Sequence, residues 1–210
     1  GLTDDWQGSV DVLQALDDRA LNEDTAKLAL GAATSHEDVR IRDLFERFLP
    51  TEKRVKRLGS VVQVDQLLAL PGDPSRGEKL FLSTAGVACK NCHRIGKQGQ
   101  EIGPDLSKIG KKYSPAQLLE SILQPSKRID PKYVTYLAET DEGRLLTGLL
   151  VKKDAREIIL RDAQNKLLTI AADQVEELVP QAKSLMPELL LRDLTAQQVA
   201  DLLAYLGSLK

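Results

Sequence analysis

The sequence predicts a mostly α-helical protein into which a small antiparallel β unit is inserted. Three observations carry that reading. Apolar residues recur three and four apart through residues 9–58, 114–123 and 195–210. From Tyr133 to about Ala172 the pattern changes to alternation. The alternating stretches are separated by DEG (141–143) and QN (164–165), turns short enough for hairpins. With 42% hydrophobic residues among 210, the chain has enough apolar material for a core.

Residues 1–70 read as a helical segment. SVDVLQALDDRAL, NEDTAKLALGAA and SHEDVRIRDLFERFLP supply two or three amphipathic helices stacked as the end of a repeat array. A repeat needs neighbours to bury its faces, so this end implies further sequence upstream. Ser35, followed by Glu37 and Asp38, predicts a helix start, and Pro50 its stop. His36, alone near that start, reads as a polar surface residue. PGDPS (71–75) marks a boundary. Residues 71–131 then offer a helix, RGEKLFLST, a cysteine cluster, VACKNCHRIG, and a polar, glycine-rich loop, GKQGQEIGPDL. The helix SPAQLLESIL closes this part, with Ser114 as N-cap and Pro115 at its first position.

Residues 132–183 form the β insert. YVTYLAET, RLLTGLLVKKD, REIILRDA, KLLTIAA and QVEELVP predict a meander of four or five strands, curled into a small barrel. Residues 184–210 return to helix. An SLMP loop precedes LTAQQVADLLAYLGSL, capped by Thr195, with apolar positions at Val199, Leu202, Leu203 and Leu206.

A formal charge of −2 points to neither nucleic acid nor an anionic membrane. No window holds the roughly 18 apolar residues of a membrane span, and GLTDDWQGSV has no signal-peptide pattern, so the chain reads as a processed or excised piece. The cysteine-containing part is the basic one, with ten basic and six acidic side chains over 71–131.

Both cysteines and one of two histidines fall within Cys89–Lys–Asn–Cys92–His93. Three chemistries use such a cluster. A redox dithiol usually opens a helix beside a βαβ unit, which this chain lacks. Structural zinc needs four ligands, and beyond Cys89, Cys92 and His93 only the remote His36 is left. In the third chemistry the two thiols add to the vinyl groups of a haem and the adjacent histidine binds the iron.

Four further features favour the haem. Met186 is the only methionine, and a thioether suits haem iron opposite a histidine. GPDL (103–106) can bring the Pro104 carbonyl to the second ring nitrogen of His93 and pack Leu106 on the ring. Gly77 and Phe81 share a helix face that can cross Leu202, Tyr205 and Leu206 of the last helix. Tyr113 and Arg128 either reach the propionates or lie on the surface.

RGEKLF, CKNCH, GPDL, SLMP and DLLAYL occur in the order found in class I cytochromes c, which the chain resembles over 71–131 and 184–210. It looks closest to the CxxCH haem-binding domain at the C-terminal end of large multidomain proteins of Planctomycetes and Verrucomicrobia. RDLFERFLP, RLG and the turn in DEGRLLTG extend that likeness to residues 38–210. The resemblance implies a class I cytochrome c fold interrupted by the insert, one haem c per chain and a periplasmic or exported location. It also implies HEAT-like repeats and a dehydrogenase-like domain upstream.

The expected function is one-electron transfer with His93 and Met186 as axial ligands, accepting from a fused or partner dehydrogenase. A haem enzyme or gas-binding protein with an exchangeable sixth position is the alternative, and an interaction module without haem is the other class. Lys90, Arg94, Lys97, Lys108, Lys111 and Lys112 either steer an acidic partner or balance the propionates. The insert is a docking surface, a lid over the haem, or an embellishment that adds stability.

Overall fold

Three helices begin where short polar side chains cap their first amides. The computed structural model describes residues 5–36, 38–82 and 87–210, which divide into two units, 1–56 and 57–210. In the first unit, α1 (Trp6–Asp17) is capped by Asp5, α2 (Glu23–Thr34) by Asn22 and α3 (Val39–Phe45) by Asp38. Each carboxylate or amide oxygen accepts a first-turn N–H that has no partner within its helix. Val12, Ala33, Ile41 and Phe45 form the core.

The expected helix start at Ser35 is corrected. Ser35 closes α2, donating its hydroxyl to the Gly31 and Ala32 carbonyls, and Asp38 opens the next helix. Glu37 lies outside the described residues. His36 is half-buried, its Nδ1 accepting from the Asp38 amide at 2.9 Å. Three helices around one core are too few to exhibit a repeat, so the array reading rests on sequence alone.

The division falls at 56/57 rather than at the expected 70/71. The Leu58 and Gly59 amides donate to the Leu194 and Arg192 carbonyls, both at 2.9 Å, and α4 (Val64–Leu68) buries Leu67 in the core of the second unit. That core is built on the crossing of α5 (Pro74–Leu82) with α8 (Ala196–Ser208). A Cβ on Gly77 would lie 2.1 Å from the Asp201 carbonyl oxygen, so only glycine lets the backbones meet there. Phe81 and Tyr205 fill the contact with ring centroids 5.9 Å apart, tilted by 54°. The expected helix RGEKLFLST starts earlier, at Pro74, and its residues 83–84 lie outside the described residues.

An ion pair fastens the same crossing. Arg76 donates Nε to Asp201 Oδ2 at 2.7 Å and Nη2 to Oδ1 at 2.8 Å, while the Asp73 amide and Gln197 Nε2 also donate to Oδ1. The Asp201 side chain is only 3% exposed. Arg76 first, with the Asp73 and Gln197 donors, holds its carboxyl down to about 2.

Between α5 and α8 come β1 (Arg94–Ile95), β2 (Gln98–Gly99), α6 (Ile109–Lys112) and α7 (Pro115–Leu123). Ser114 forms a complete capping box with Gln117 at the start of α7, as Thr195 does with Gln198 at α8. The insert follows as β3 (Thr135–Thr140), β4 (Leu145–Lys153), β5 (Glu157–Arg161), β6 (Leu167–Ala171) and β7 (Val175–Pro180), all neighbours antiparallel, in the order β6-β5-β4-β3-β7. Gly143 (φ +74°) and Asn165 (φ +64°) take the left-handed conformations of its turns.

The sheet is open, which corrects the expected barrel. β6 and β7, the two edges, form no ladder with each other among the described residues. It is nevertheless curled. Flat, the edges would stand about 19 Å apart at ~4.8 Å per strand, and Ala172–Gln174, which join them, span at most about 15 Å. Register shifts at Glu139/Thr140 and Leu150/Lys152 supply bends, and Ala138, Ile158, Leu160 and Ile170 pack inside.

Candidate functional site

The cysteine cluster begins at Ala88, whose φ of +45° turns the chain into a short 3₁₀ turn, Cys89–Asn91. The Cys92 and His93 amides both donate to the Cys89 carbonyl, at 3.1 and 2.9 Å, so the motif is one closed turn. Cys89 packs against the helical core, and both thiols are free.

The segment after β2 folds back on this turn. The Gln100 amide donates to the Lys90 carbonyl at 3.0 Å, and the Ile102 and Gly103 amides donate to the Cys92 carbonyl at 3.1 and 2.7 Å. Gly99 takes φ +94°, and a Cβ there would lie 2.1 Å from the His93 carbonyl oxygen. A Cβ on Gly103 would lie 2.6 Å from Cε1 of the His93 ring, so the imidazole lies directly on glycine backbone.

His93 Nδ1 stands 2.9 Å from the Pro104 carbonyl oxygen. A carbonyl only accepts, so Nδ1 carries the proton and Nε2 keeps its lone pair. Burial pushes the imidazole pKa down and so favours the neutral ring, while that bond opposes the shift. Beyond Pro104, the Leu106 amide returns to the Arg94 carbonyl at 2.8 Å, and Leu106 and Tyr113 pack against the helical core.

Burial raises the Cys89 thiol to about 11 and also pushes Cys92 up. Redox dithiols have lowered pKa values, so these thiols stay protonated and weakly nucleophilic at neutral pH. Among the described residues no group of three or more His, Cys, Asp and Glu side chains is placed to hold a metal ion, so Cys89, Cys92 and His93 do not converge on one point as zinc ligands would.

The other expected site residues are spread wider. Met186 lies half-buried in the loop between β7 and α8. Its amide donates to Ser184 Oγ at 3.1 Å, and the Ser184 amide donates to Ser126 Oγ at 3.1 Å, tying the methionine loop to the segment after α7. Tyr113 lies under the Lys112 ammonium, 5.1 Å from the ring centre. Arg128 is exposed and its charge acts on Glu120. Arg94 does not belong with the steering cations, because Glu101 and Asp105 pair with it at 2.5 and 2.7 Å. The sequence reading missed this pairing, although Glu101 and Asp105 stand in the loop that folds back.

The arrangement fits a covalently attached haem. Two uncommitted thiols precede a neutral imidazole whose Nδ1 is fixed and whose Nε2 is available to iron, and Gly103 leaves room for the ring. Residues 74–159 match the family model described as cytochrome c. That segment is therefore a cytochrome c domain, and haem c, held covalently in this family, is its cofactor. The match reaches into β5 and stops before Met186. No curated protein matches the chain. Among solved structures, SoxXA from P. pantotrophus is 20% identical, covering 77% of this chain and 98% of that one, with a TM-score of 0.37. That superposition is too loose to argue from.

Proposed function

We propose that this chain carries one electron at a time through haem c, with His93 and Met186 as the axial ligands. The hydrogen bond from His93 Nδ1 to Pro104 carries the reading, since it leaves a preoriented imidazole with one nitrogen for iron. The haem supplies the one-electron couple. The chain's own residues anchor and exclude water: Cys89 and Cys92 tether, Pro104 and Gly103 orient His93, and Leu106 and Tyr113 line the helical core beside the turn. The Ser126–Ser184 contact supports a role for Met186 by holding its loop on the half that carries the cysteines.

The finer family reading, a Planctomycetes-type C-terminal module with HEAT-like repeats and a dehydrogenase-like donor upstream, rests on the sequence motifs. So does a periplasmic or exported location, where haem is attached. No helix among the described residues is long and apolar enough to cross a membrane. Lys90, Lys97, Lys108, Lys111 and Lys112 are proposed to face an acidic redox partner, an attraction that salt weakens.

The test is a visible spectrum in both redox states, with and without carbon monoxide, on protein made with haem-attachment machinery. Haem that stays with the chain after acid and organic extraction, and a reduced spectrum unchanged by carbon monoxide, are expected. Free haem in the extract removes the thioether assignment. Ready uptake of carbon monoxide points instead to a haem enzyme or gas binder with an open sixth position.

A further inference from the structure

The β insert touches the loop that folds back on the turn carrying His93. Arg161 closes β5, paired with Leu149 of β4 and Leu167 of β6. Its carbonyl lies where a Cβ on Gly148 would be 2.5 Å away, so glycine lets the two strands close on it. From there Nη1 donates to the Glu101 carbonyl oxygen across a long 3.4 Å, while Nε is buried and has no partner among the described residues. Four residues on, Asn165 Nδ2 donates to Gln100 Oε1 at 2.8 Å. Asn165 is fixed in turn: Asp162 Oδ1 accepts the Gln164 and Lys166 amides, and the Asn165 amide donates to the Asp162 carbonyl.

Gln100 and Glu101 immediately precede the residues that seat the imidazole. Ile102 and Gly103 donate to the Cys92 carbonyl, Gly103 lies under the ring, and Pro104 accepts from Nδ1. Each insert contact alone is weak. Placed on adjacent residues, they restrict the chain just before the three positions on which the ring orientation depends. Arg94, paired with Glu101 and Asp105, grips the same loop.

We propose that Arg161 and Asn165 are positioning residues for His93: they clasp residues 100–104 onto the cysteine turn, so that the β insert sets the donor strength of the axial imidazole. This rests on the haem reading above and adds a role for the insert. A firm Nδ1–H to carbonyl bond makes the ligating nitrogen more basic, which favours the oxidised iron. Loosening the clasp therefore raises the midpoint potential.

The experiment compares midpoint potentials of haem-loaded wild type, Asn165→Ala, Arg161→Gln and the double variant, together with amide hydrogen exchange at Ile102 and Gly103. Lys152→Ala is the control, since it breaks pairs with Asp154 and Glu157 in the same insert without touching the loop. The double variant is expected to shift the ratio of reduced to oxidised protein about threefold toward reduced, about 28 mV on the one-electron scale of 59 mV per tenfold. Exchange at both amides should quicken, Lys152→Ala should match wild type, and Arg161→Lys should recover part of the shift. An unaltered midpoint and exchange rate in the double variant, or an equal shift in Lys152→Ala, overturns the clasp. If the double variant does not fold, Gln100→Ala removes the acceptor from outside the sheet and is held to the same criteria. Wild-type protein without covalent haem defeats the haem reading, and the exchange measurement then decides the clasp in the haem-free chain.

Discussion

The two sides from which an iron would be held are built differently. On the histidine side, backbone does the work: the Cys92 carbonyl receives two amides, the Pro104 carbonyl fixes Nδ1, and Gly99 and Gly103 allow approaches that any Cβ would block. On the methionine side, two serine hydroxyls hold a loop with no regular structure of its own. Backbone contacts that only glycine permits leave one arrangement, whereas side-chain hydrogen bonds in a loop leave several at small cost. The histidine side is the fixed jaw and the methionine side the adjustable one.

Breaking the fixed jaw should have the largest effect. In Gly103→Val the new side chain would collide with the His93 ring, and protein expressed with attachment machinery is expected to lose nearly all covalent haem. Absorbance per mole of protein measures it, and normal loading would show the ring contact to be dispensable. Met186→Ala should keep its haem and gain carbon monoxide binding by tenfold or more. If its spectra and ligand uptake match wild type, the thioether is not the axial group.

The helix crossing in the core against which Cys89 packs gives the next effect. Asp201 titrates at about 2 in the folded chain against an ordinary 3.8, so its contribution is fully present above pH 3.8 and fades as pH falls toward 2. That shift corresponds to about 2 kcal/mol. Urea unfolding of Asp201→Asn should show a loss of that order at pH 6 and a smaller one near pH 2.5. A constant difference across that window would separate the stabilisation from ionisation. Smallest is Ser126→Ala, which removes one hydrogen bond worth about 1 kcal/mol. It should raise carbon monoxide uptake only severalfold and leave haem content intact. Haem loss there would make the distal loop as indispensable as the proximal one.

What the sequence made legible was local. Ser114 and Thr195 announce their helices because a cap is decided within four residues. DEG and QN place two hairpins because Gly143 and Asn165 tolerate positive φ. GPDL pointed to the Pro104 carbonyl, eleven residues from His93. Pairings between distant residues stayed hidden. Arg76 meets Asp201 across 125 positions and Asn165 meets Gln100 across 65, and nothing in the spacing of charged or amide residues marks such partners. The barrel failed for a related reason: alternation identifies strands, but whether β6 and β7 join depends on the corner at Ala172–Gln174. PGDPS marks a boundary at 71 and so leaves residues 57–70 with the first unit, whereas the backbone bonds from Leu58 and Gly59 to Leu194 and Arg192 place them in the second.

The contact between Gly77 and Asp201 also has a kinetic meaning. Two helices that must meet face to face are separated by most of the unit, a closure that is entropically slow when the intervening chain is loose. Of the sheet between them, β3 to β6 pair with their chain neighbours and can assemble early, and β7 then closes on β3 and draws the ends of that span together. Once formed, the sheet shortens the effective distance over which α8 must search for α5, so the hairpins would hasten a helix closure that stays the slow step.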